Sequence, residues 1–342
     1  MNLKNLSVTT KIPKLLEDKL NNKKVDQIYK RFEKSIDLKK NFIVAVSGGP
    51  DSLALAFLAK IFSIKNNLIS KFYIVDHKLR PESTKEAKTV KKILSKYLIH
   101  AEILTWRGKK PLKNIQSLAR NKRLELLFKK ADEMKINDIL LGHHQDDLFE
   151  NFFIRMLRGS GLKGLVSLDK KSTIKDKNLI RPLIDEKKEN LVFISKHVYN
   201  FYVMDPYNED EKYKRILIRN LIKKLKDKGL DEKKFKTTIK NLKISNITIE
   251  FYVNENLRKN SFYSSKHQRL ILNEDFFNQA QEVIFRSFSD SLKLIGNKHY
   301  ATRGKKLSKV IGLIKKKQTF KVTLGNCIVE RVNQTVIISK EA

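Results

Sequence analysis

A single cysteine, Cys327, in 342 residues excludes an internal disulfide, a cysteine-built zinc cluster and an iron–sulfur ligand set. Long apolar runs are also missing. The longest, residues 53–64, falls well short of the roughly 20 residues of a spanning helix and carries Lys60. The opening MNLKNLSVTTKIPKLLEDKL lacks the uninterrupted apolar core of a secretory signal. These absences lead to the expectation of a protein of the reducing cytoplasm with no membrane partner. The chain has no internal repeat and no extended low-complexity tract.

Acidic residues are scarce, with 37 against 72 basic ones, and the net charge of +35 favours a polyanionic partner such as nucleic acid. Arginine is scarce too: lysines outnumber arginines 57 to 15 in a chain rich in Asn and Ile, so compositional drift accounts for part of the excess. Drift does not explain the skew. Residues 213–342 carry 29 basic and 11 acidic side chains, net +18, against +17 over the longer span 1–212.

The length suffices for about two ordinary domains. Residues 1–40 suggest one or two helices, with Leu15, Leu16, Leu20, Ile28 and Phe32 apolar among lysines. Phe42-Ile-Val-Ala-Val46 is a β-rich run that ends at Ser-Gly-Gly-Pro-Asp-Ser and precedes an apolar helical pattern. Further strands are expected over residues 71–76, 99–106 and 138–141. Helices are expected over 83–97, with the cap-and-acid pattern Ser83-Thr-Lys-Glu86, and over 115–134. Strands alternating with helices imply an α/β fold with a doubly wound parallel sheet. A lysine-rich loop is expected over residues 169–178 and a helix over 187–200. Beyond them the expectations are helical structure over 270–288 and turn-punctuated strands over 319–340. The resulting division is a catalytic domain at 1–212, a basic helical connector at 213–245 and a smaller α+β domain at 246–342.

Ser47-Gly48-Gly49-Pro50-Asp51-Ser52 lies between a strand and a helix, where two glycines permit close backbone approach and a helix N-terminus offers free N–H groups. Such a loop cradles phosphate. It is not a Walker loop, because no Gly-Lys-Ser/Thr follows at the required spacing. An ordinary βα turn with Asp51 or Ser52 as helix cap uses the same residues.

The hexapeptide resembles the pyrophosphate loop of the N-type ATP pyrophosphatases, the PP-loop family. The lone Cys327 argues against sulfur-transferring members. Five more motifs follow it in order: Val75-Asp-His-Lys-Leu-Arg-Pro-Glu-Ser83, Gly142-His-His-Gln-Asp-Asp-Leu-Phe-Glu150, Arg158-Gly-Ser-Gly-Leu-Lys-Gly164, Arg181-Pro-Leu183 and Asp205-Pro-Tyr-Asn-Glu-Asp210. Together, over residues 42–219, they resemble the tRNA(Ile)-lysidine synthetases. That resemblance implies that ATP adenylates the C2 carbonyl of the wobble cytidine of a CAU-anticodon isoleucine tRNA. The ε-amine of free L-lysine then displaces AMP. A second copy of the chain is a further candidate partner. Another PP-loop enzyme acting on a different tRNA base or a small-molecule carbonyl is the alternative, as is an RNA-binding homologue without catalysis.

Within the resemblance, Ser47, Gly48, Gly49, Pro50 and Ser52 are expected at ATP phosphates and Asp51 at the Mg2+-bound pyrophosphate. Asp76 and His77 are expected at the nucleoside. Asp147 and Glu150 share a helix face suited to an ammonium group, with a buried Arg120 or Arg123 for the lysine carboxylate. Glu150 is also a candidate acceptor for the proton of the attacking amine, and His143 for a second nucleotide or acyl-side contact. His143, His144, Asp146, Asp147 and Glu150 also admit a metal-site reading. Arg158, Arg181, Arg215 and Arg219 are expected to face the tRNA or substrate, although Arg158-Gly159 equally fits a glycine-capped helix end. The chain departs from the family pattern at Tyr207, Ile216 and Asn151.

Overall fold

The computed structural model describes residues 11–108, 115–204, 214–297 and 304–341, so the motif at residues 205–210 lies outside the described residues. Two compact units divide the chain, residues 1–230 and 231–342. The division falls inside the stretch expected as a connector, whose helices α9 (Lys214–Asp227) and α10 (Glu232–Asn260) fall in different units.

The first unit is built on a six-stranded sheet of order β3-β2-β1-β4-β6-β5. Strands β1 (Phe42–Val46), β2 (Ser70–Asp76), β3 (Ala101–Thr105), β4 (Asp138–Leu140) and β6 (Lys177–Ile180) are mutually parallel, and β5 (Lys171–Ile174) is an antiparallel edge. The α/β doubly wound expectation therefore holds. Side chains alternate across β1. Phe42, Val44 and Val46 join a core with α2 (Lys23–Ser35), α3 (Pro50–Lys65) and α8 (Lys188–Tyr199), whereas Ile43 joins Leu127 and Ala131 of α5 (Ile115–Glu133) on the other face. Covered on both sides, β1 is apolar at every position, as a central parallel strand must be. Helix α3 is apolar nearly all round because its residues 52–59 are all buried.

Three local expectations are corrected. Residues 169–178 contain the β5–β6 hairpin rather than a loop. Lys175 and Asp176 take φ of 48° and 60° at its turn, and exposed lysines hide its alternation. Helix α4 (Ser83–Lys96) begins without a side-chain cap, because the Ser83 hydroxyl donates to Asp76 at 2.8 Å and Glu86 pairs with Arg80 at 3.0 Å. Residues 270–288 hold the end of strand β8 (Arg269–Leu272) and a 3-10 turn over Glu274–Phe277, and only then does α11 (Gln281–Ile295) begin.

The second unit is a five-stranded antiparallel sheet of order β7-β8-β11-β10-β9, with β7 (Ser261–Ser264), β9 (Lys321–Thr323), β10 (Cys327–Val332) and β11 (Thr335–Lys340). One sheet face, with Leu270, Leu272, Val329, Val336 and Ile338, packs on Ile284, Phe288 and Leu292 of α11 and on Leu307 and Ile311 of α12 (Gly304–Lys315). Turns at Gly325-Asn326 and Asn333 separate the last strands, with all three residues at positive φ. No helix among the described residues is long and apolar enough to cross a membrane.

Gly296 at the end of α11 has ordinary φ, yet a Cβ there would stand 2.2 Å from the Gly325 carbonyl oxygen. Gly296→Ala is expected to destabilise the second unit by about 1–3 kcal/mol or more through this backbone overlap, measured by urea unfolding. Stability equal to wild type would mean that the α11–β10 approach is loose.

Candidate active site

In sheets of this order the strand sequence reverses between β1 and β4, and the crevice beyond their carboxyl ends is where ligands bind. The Ser47–Ser52 loop leaves β1 there. Ser52 is its hub: its Oγ accepts from the Ser47 and Gly48 backbone N–H groups at 3.0 and 3.1 Å and donates to the Gly49 carbonyl at 3.0 Å. Gly48 has φ of +88°, and a Cβ on it would meet Val90 at 2.7 Å and Val203 at 3.0 Å. Pro50 occupies the first turn of α3, whose N–H groups lack intrahelical partners and point into the loop. Two remote contacts brace it. Val203 N–H donates to the Gly48 carbonyl at 2.9 Å, and the Ser195 hydroxyl donates to the Pro50 carbonyl at 2.7 Å.

The turn after β4 meets this loop closely, since a Cβ on Gly142 would lie 3.2 Å from the Asp51 carbonyl and Ser52 Cα. It leads into α6 (Gln145–Met156), capped by His144: Asp146 N–H donates to His144 Nδ1 at 3.2 Å, and His144 N–H donates to Asp147 Oδ2 at 3.1 Å. With Nδ1 accepting, the ring proton resides on Nε2, which lies 3.6 Å from both Asp51 Oδ2 and Asp147 Oδ2. His144 thus stands between the loop carboxylate and the α6 carboxylate. Asp51 Oδ1 is buried and has no hydrogen-bond partner among the described residues.

Burial opposes ionisation of Asp147, but the His144 side chain and backbone N–H outweigh it and hold the group below the usual carboxylate range. Glu150, one turn further and 1% exposed, is the converse: burial pushes it above that range despite Arg219 and Arg215. Both arginines stand on α9, which packs on α6 with Ile216, Ile218 and Ile222 buried. Arg219 donates to Glu150 Oε1 at 2.5 Å, and Arg215 lies 3.8 Å from Oε2, which accepts no hydrogen bond among the described residues. Ile216, where the family pattern has Asn, is therefore a packing residue.

Other predicted residues occupy distinct places. Asp76 is buried and holds a turn, accepting from Lys78 N–H, Ser83 and Thr84 at 2.9, 2.8 and 2.6 Å. Burial opposes its charge, but these three donors lower its pKa. His77 accepts from Arg123 at 3.3–3.4 Å through Nε2, which leaves its proton on the buried, unpartnered Nδ1. Burial and the Arg123 charge push its pKa down to about 4. His143 is pushed to about 3 by burial, with Asp147 opposing and Arg181, Arg120 and Arg215 reinforcing. Arg120 is exposed rather than buried, and interacts electrostatically with Asp147 and Arg215. Arg181, expected to face substrate, is 4% exposed and donates to the Asp169 carbonyl at 2.8 Å and to Ser172 at 3.1 Å, fastening the β5–β6 hairpin. Arg158 is exposed at a glycine-capped helix end: Gly159 has φ of +67°, and Ser160 N–H donates to the Arg155 carbonyl at 3.1 Å.

Residues missed in the sequence support this arrangement from afar. Arg31 on α2 makes a forked pair with Glu186 at 2.6 and 2.9 Å, and the Glu186 carbonyl accepts from Gln145 N–H, the first of α6. Nothing local in the sequence joins positions 31, 186 and 145.

Sheet order and phosphate loop together define a nucleotide-binding PP-loop protein, and residues 18–225 match the PP-loop domain family. Similar proteins include the tRNA(Ile)-lysidine synthase of Rickettsia felis, 31% identical over 92% of this chain and 74% of that one. The enzyme of the same name from Orientia tsutsugamushi is 33% identical over 87% and 69%. Given these relatives, the chain belongs to the tRNA(Ile)-lysidine synthase family. The fold is shared with the U34-tRNA thiolase NcsA from Methanococcus maripaludis, at a TM-score of 0.55 and 16% identity over 64% of this chain and 78% of that one.

Gly48→Ala is expected to abolish nucleotide binding, because strain at positive φ adds to overlap with Val90; isothermal titration with an ATP analogue checks this. His77 carries a second expectation. Its folded pKa of about 4 lies below the unfolded value of about 6.5, so the unfolded chain binds about one more proton between those pH values and stability falls on acidification. His77→Gln should lose less stability than wild type between pH 6.5 and 4.5, and urea unfolding with an equal loss would show that His77 is solvated.

Proposed function

We propose that this chain ligates free L-lysine to C2 of the wobble cytidine of a CAU-anticodon isoleucine tRNA. In the first step the C2 carbonyl oxygen attacks the α-phosphate of ATP, giving adenylated tRNA and releasing pyrophosphate. In the second the lysine ε-amine attacks C2, AMP leaves, and the amine gives up a proton. The observation that supports this reading is the His144 bridge: Asp51 of the phosphate loop and Asp147, the carboxylate we assign to the amine, lie on either side of one imidazole.

Ser47, Gly48, Gly49, Pro50 and Ser52 form the ATP phosphate cradle. The unpartnered, buried Asp51 Oδ1 suits a hard cation, so Asp51 is the residue that would hold Mg2+. When bound, Mg2+ supplies neutralising charge to the pyrophosphate oxygens. His77 and the turn shaped by Asp76 face the nucleoside side, and His143 adds a neutral ring. Asp147 and Glu150 take the lysine ammonium, and the exposed Arg120 takes its carboxylate. Glu150, raised by burial and with Oε2 unpartnered, accepts the proton of the attacking amine. Arg158, Arg215 and Arg219 meet the tRNA near this crevice.

Residues 1–212 then form the catalytic domain, 213–245 its basic connector and 246–342 a tRNA-binding domain, with the +18 of residues 213–342 shared between connector and domain. The cytoplasm, which supplies tRNA, ATP and lysine, is the compartment for this chemistry.

The test is incubation of purified full-length protein with ATP, Mg2+, labelled lysine and the isoleucine tRNA, with a methionine tRNA as control. Label should enter the isoleucine tRNA alone, with one pyrophosphate per lysine; pyrophosphate without label would overturn lysine as nucleophile. Asp51→Ala should lower adenylation by about 10^2-fold or more while tRNA retention stays near wild type. Glu150→Gln should spare adenylation and slow lysine transfer by about 10^2-fold, and normal transfer would remove it from the amine site.

A further inference from the structure

On α2 and α5 several surface lysines are answered by acids of the same helix: Lys30 pairs with Asp26 at 2.7 Å, Lys122 with Glu125 at 2.7 Å and Lys130 with Glu133 at 2.6 Å. Helix α4 departs from this. Lys85, Lys88, Lys92 and Lys96 are all exposed, and their spacing of three, four and four residues sets them in one row along the helix. At about 1.5 Å of rise per residue the row is about 16 Å long. None of the four forms an ion pair among the described residues. Like charges so spaced repel one another and weaken the helix, and no contact within the unit offsets that cost.

The surroundings of the row select its occupant. Lys85, Lys88 and Lys92 line a groove with Pro81, Thr84 and Thr89. Of the two acids at this helix, Glu86 is held by Arg80 at 3.0 Å, and Glu82 precedes Lys85 by one turn. The apolar side chains of α4 face the core: Ala87, Val90 and Leu94 are buried, and Ile93 packs on the same cluster. A helix lying on a membrane inserts exposed apolar side chains, and a protein partner needs an apolar centre to its contact; the lysine face supplies neither. Cations in a row suit a chain of phosphates, each bound lysine releasing counterions from it. The row is also tied to the crevice. Helix α4 starts where Ser83 and Thr84 donate to Asp76 at the carboxyl end of β2, and its Val90 is what a Cβ on Gly48 would strike. As the crossover between parallel β2 and β3, α4 then runs back along the sheet, so the row leads away from the mouth of the crevice.

We propose that Lys85, Lys88, Lys92 and Lys96 form a track for the sugar–phosphate backbone of the tRNA, built into the first unit beside the phosphate loop. Nucleotides flanking the reacting base lie along the row while that base occupies the crevice. The inference rests on the proposed function for the identity of the RNA, and it gives the first unit a hold on the substrate separate from the charge of residues 213–342.

Fluorescence polarisation of the full chain with fluorescein-labelled isoleucine tRNA over a salt series tests it. K85Q/K88Q/K92Q/K96Q should weaken binding about tenfold or more and lower the slope of log affinity against log salt by about 3. Glutamine forms helix nearly as well as lysine, and circular dichroism equal to wild type verifies folding. K23Q/K34Q/K39Q/K40Q removes the same charge from exposed lysines elsewhere in the unit and should change the slope by less than about 1. In pyrophosphate release the row variant should raise KM for tRNA about tenfold and leave KM for ATP unchanged. An unchanged slope in the row variant, or an equal fall in the control variant, would overturn the proposal. Co-sedimentation with phosphatidylserine–phosphatidylcholine vesicles covers the other occupant: vesicle binding lost in the row variant with tRNA affinity intact would overturn it too, assigning the row to a membrane surface. Lysine incorporation separates the two readings. Incorporation by wild type with an unchanged slope in the row variant removes the track alone, and a lowered slope without incorporation removes lysine transfer alone.

Discussion

The close approach of Gly142 to the Asp51–Ser52 peptide shapes this crevice. A side chain at 142 would stand 3.2 Å from three atoms of that peptide, so any other residue would have to push the turn after β4 a few tenths of an ångström off the start of α3. Two helix N-termini, of α3 and α6, are thereby brought side by side at the point where the strand order reverses. Both carry acidic residues in their first turns, which favours the helices locally and concentrates oxygen ligands at the crevice. His144 relieves the resulting repulsion, since its Nε2 proton lies between two carboxylates that would otherwise face one another.

Further along α6, charge is managed by burial rather than by a capping group. Glu150 is nearly sealed and has two arginines on α9 for company, yet one of its oxygens receives no hydrogen bond among the described residues. An acceptor held in this way is unsatisfied until a donor arrives, and a burial-raised pKa suits it to exchange a proton. The histidines follow the opposite rule. Arginines and burial keep His77 and His143 neutral, so each enters the crevice as a hydrogen-bonding ring rather than a charge.

Legibility in the sequence followed local physics. The β1 run, the loop and α3 were readable because strand, turn and buried helix each leave a short-range pattern, and the glycine cap at 159 was equally local. The β5–β6 hairpin was not: edge strands with exposed lysines carry little apolar alternation, and the turn signal, Lys175-Asp176, uses residues that seldom take positive φ. Ser83 and Glu86 matched a helix-cap pattern, but the buried Asp76 claimed the serine and Arg80 the glutamate. Tertiary hydrogen bonds displaced a local one.

The sequence by itself determined the order of the motifs, the phosphate-binding character of the loop and the pairing of Asp147 with Glu150 on one helix face, because residue type and spacing of three or four fix these. Only the tertiary structure decided that Arg181 fastens a hairpin, that Arg219 rather than a solvent ion meets Glu150, and that Arg31 steadies α6 through Glu186. Those contacts join positions 12 to 155 residues apart. Their partners are chosen by how the sheet and helices pack, and no property of either residue alone encodes the choice.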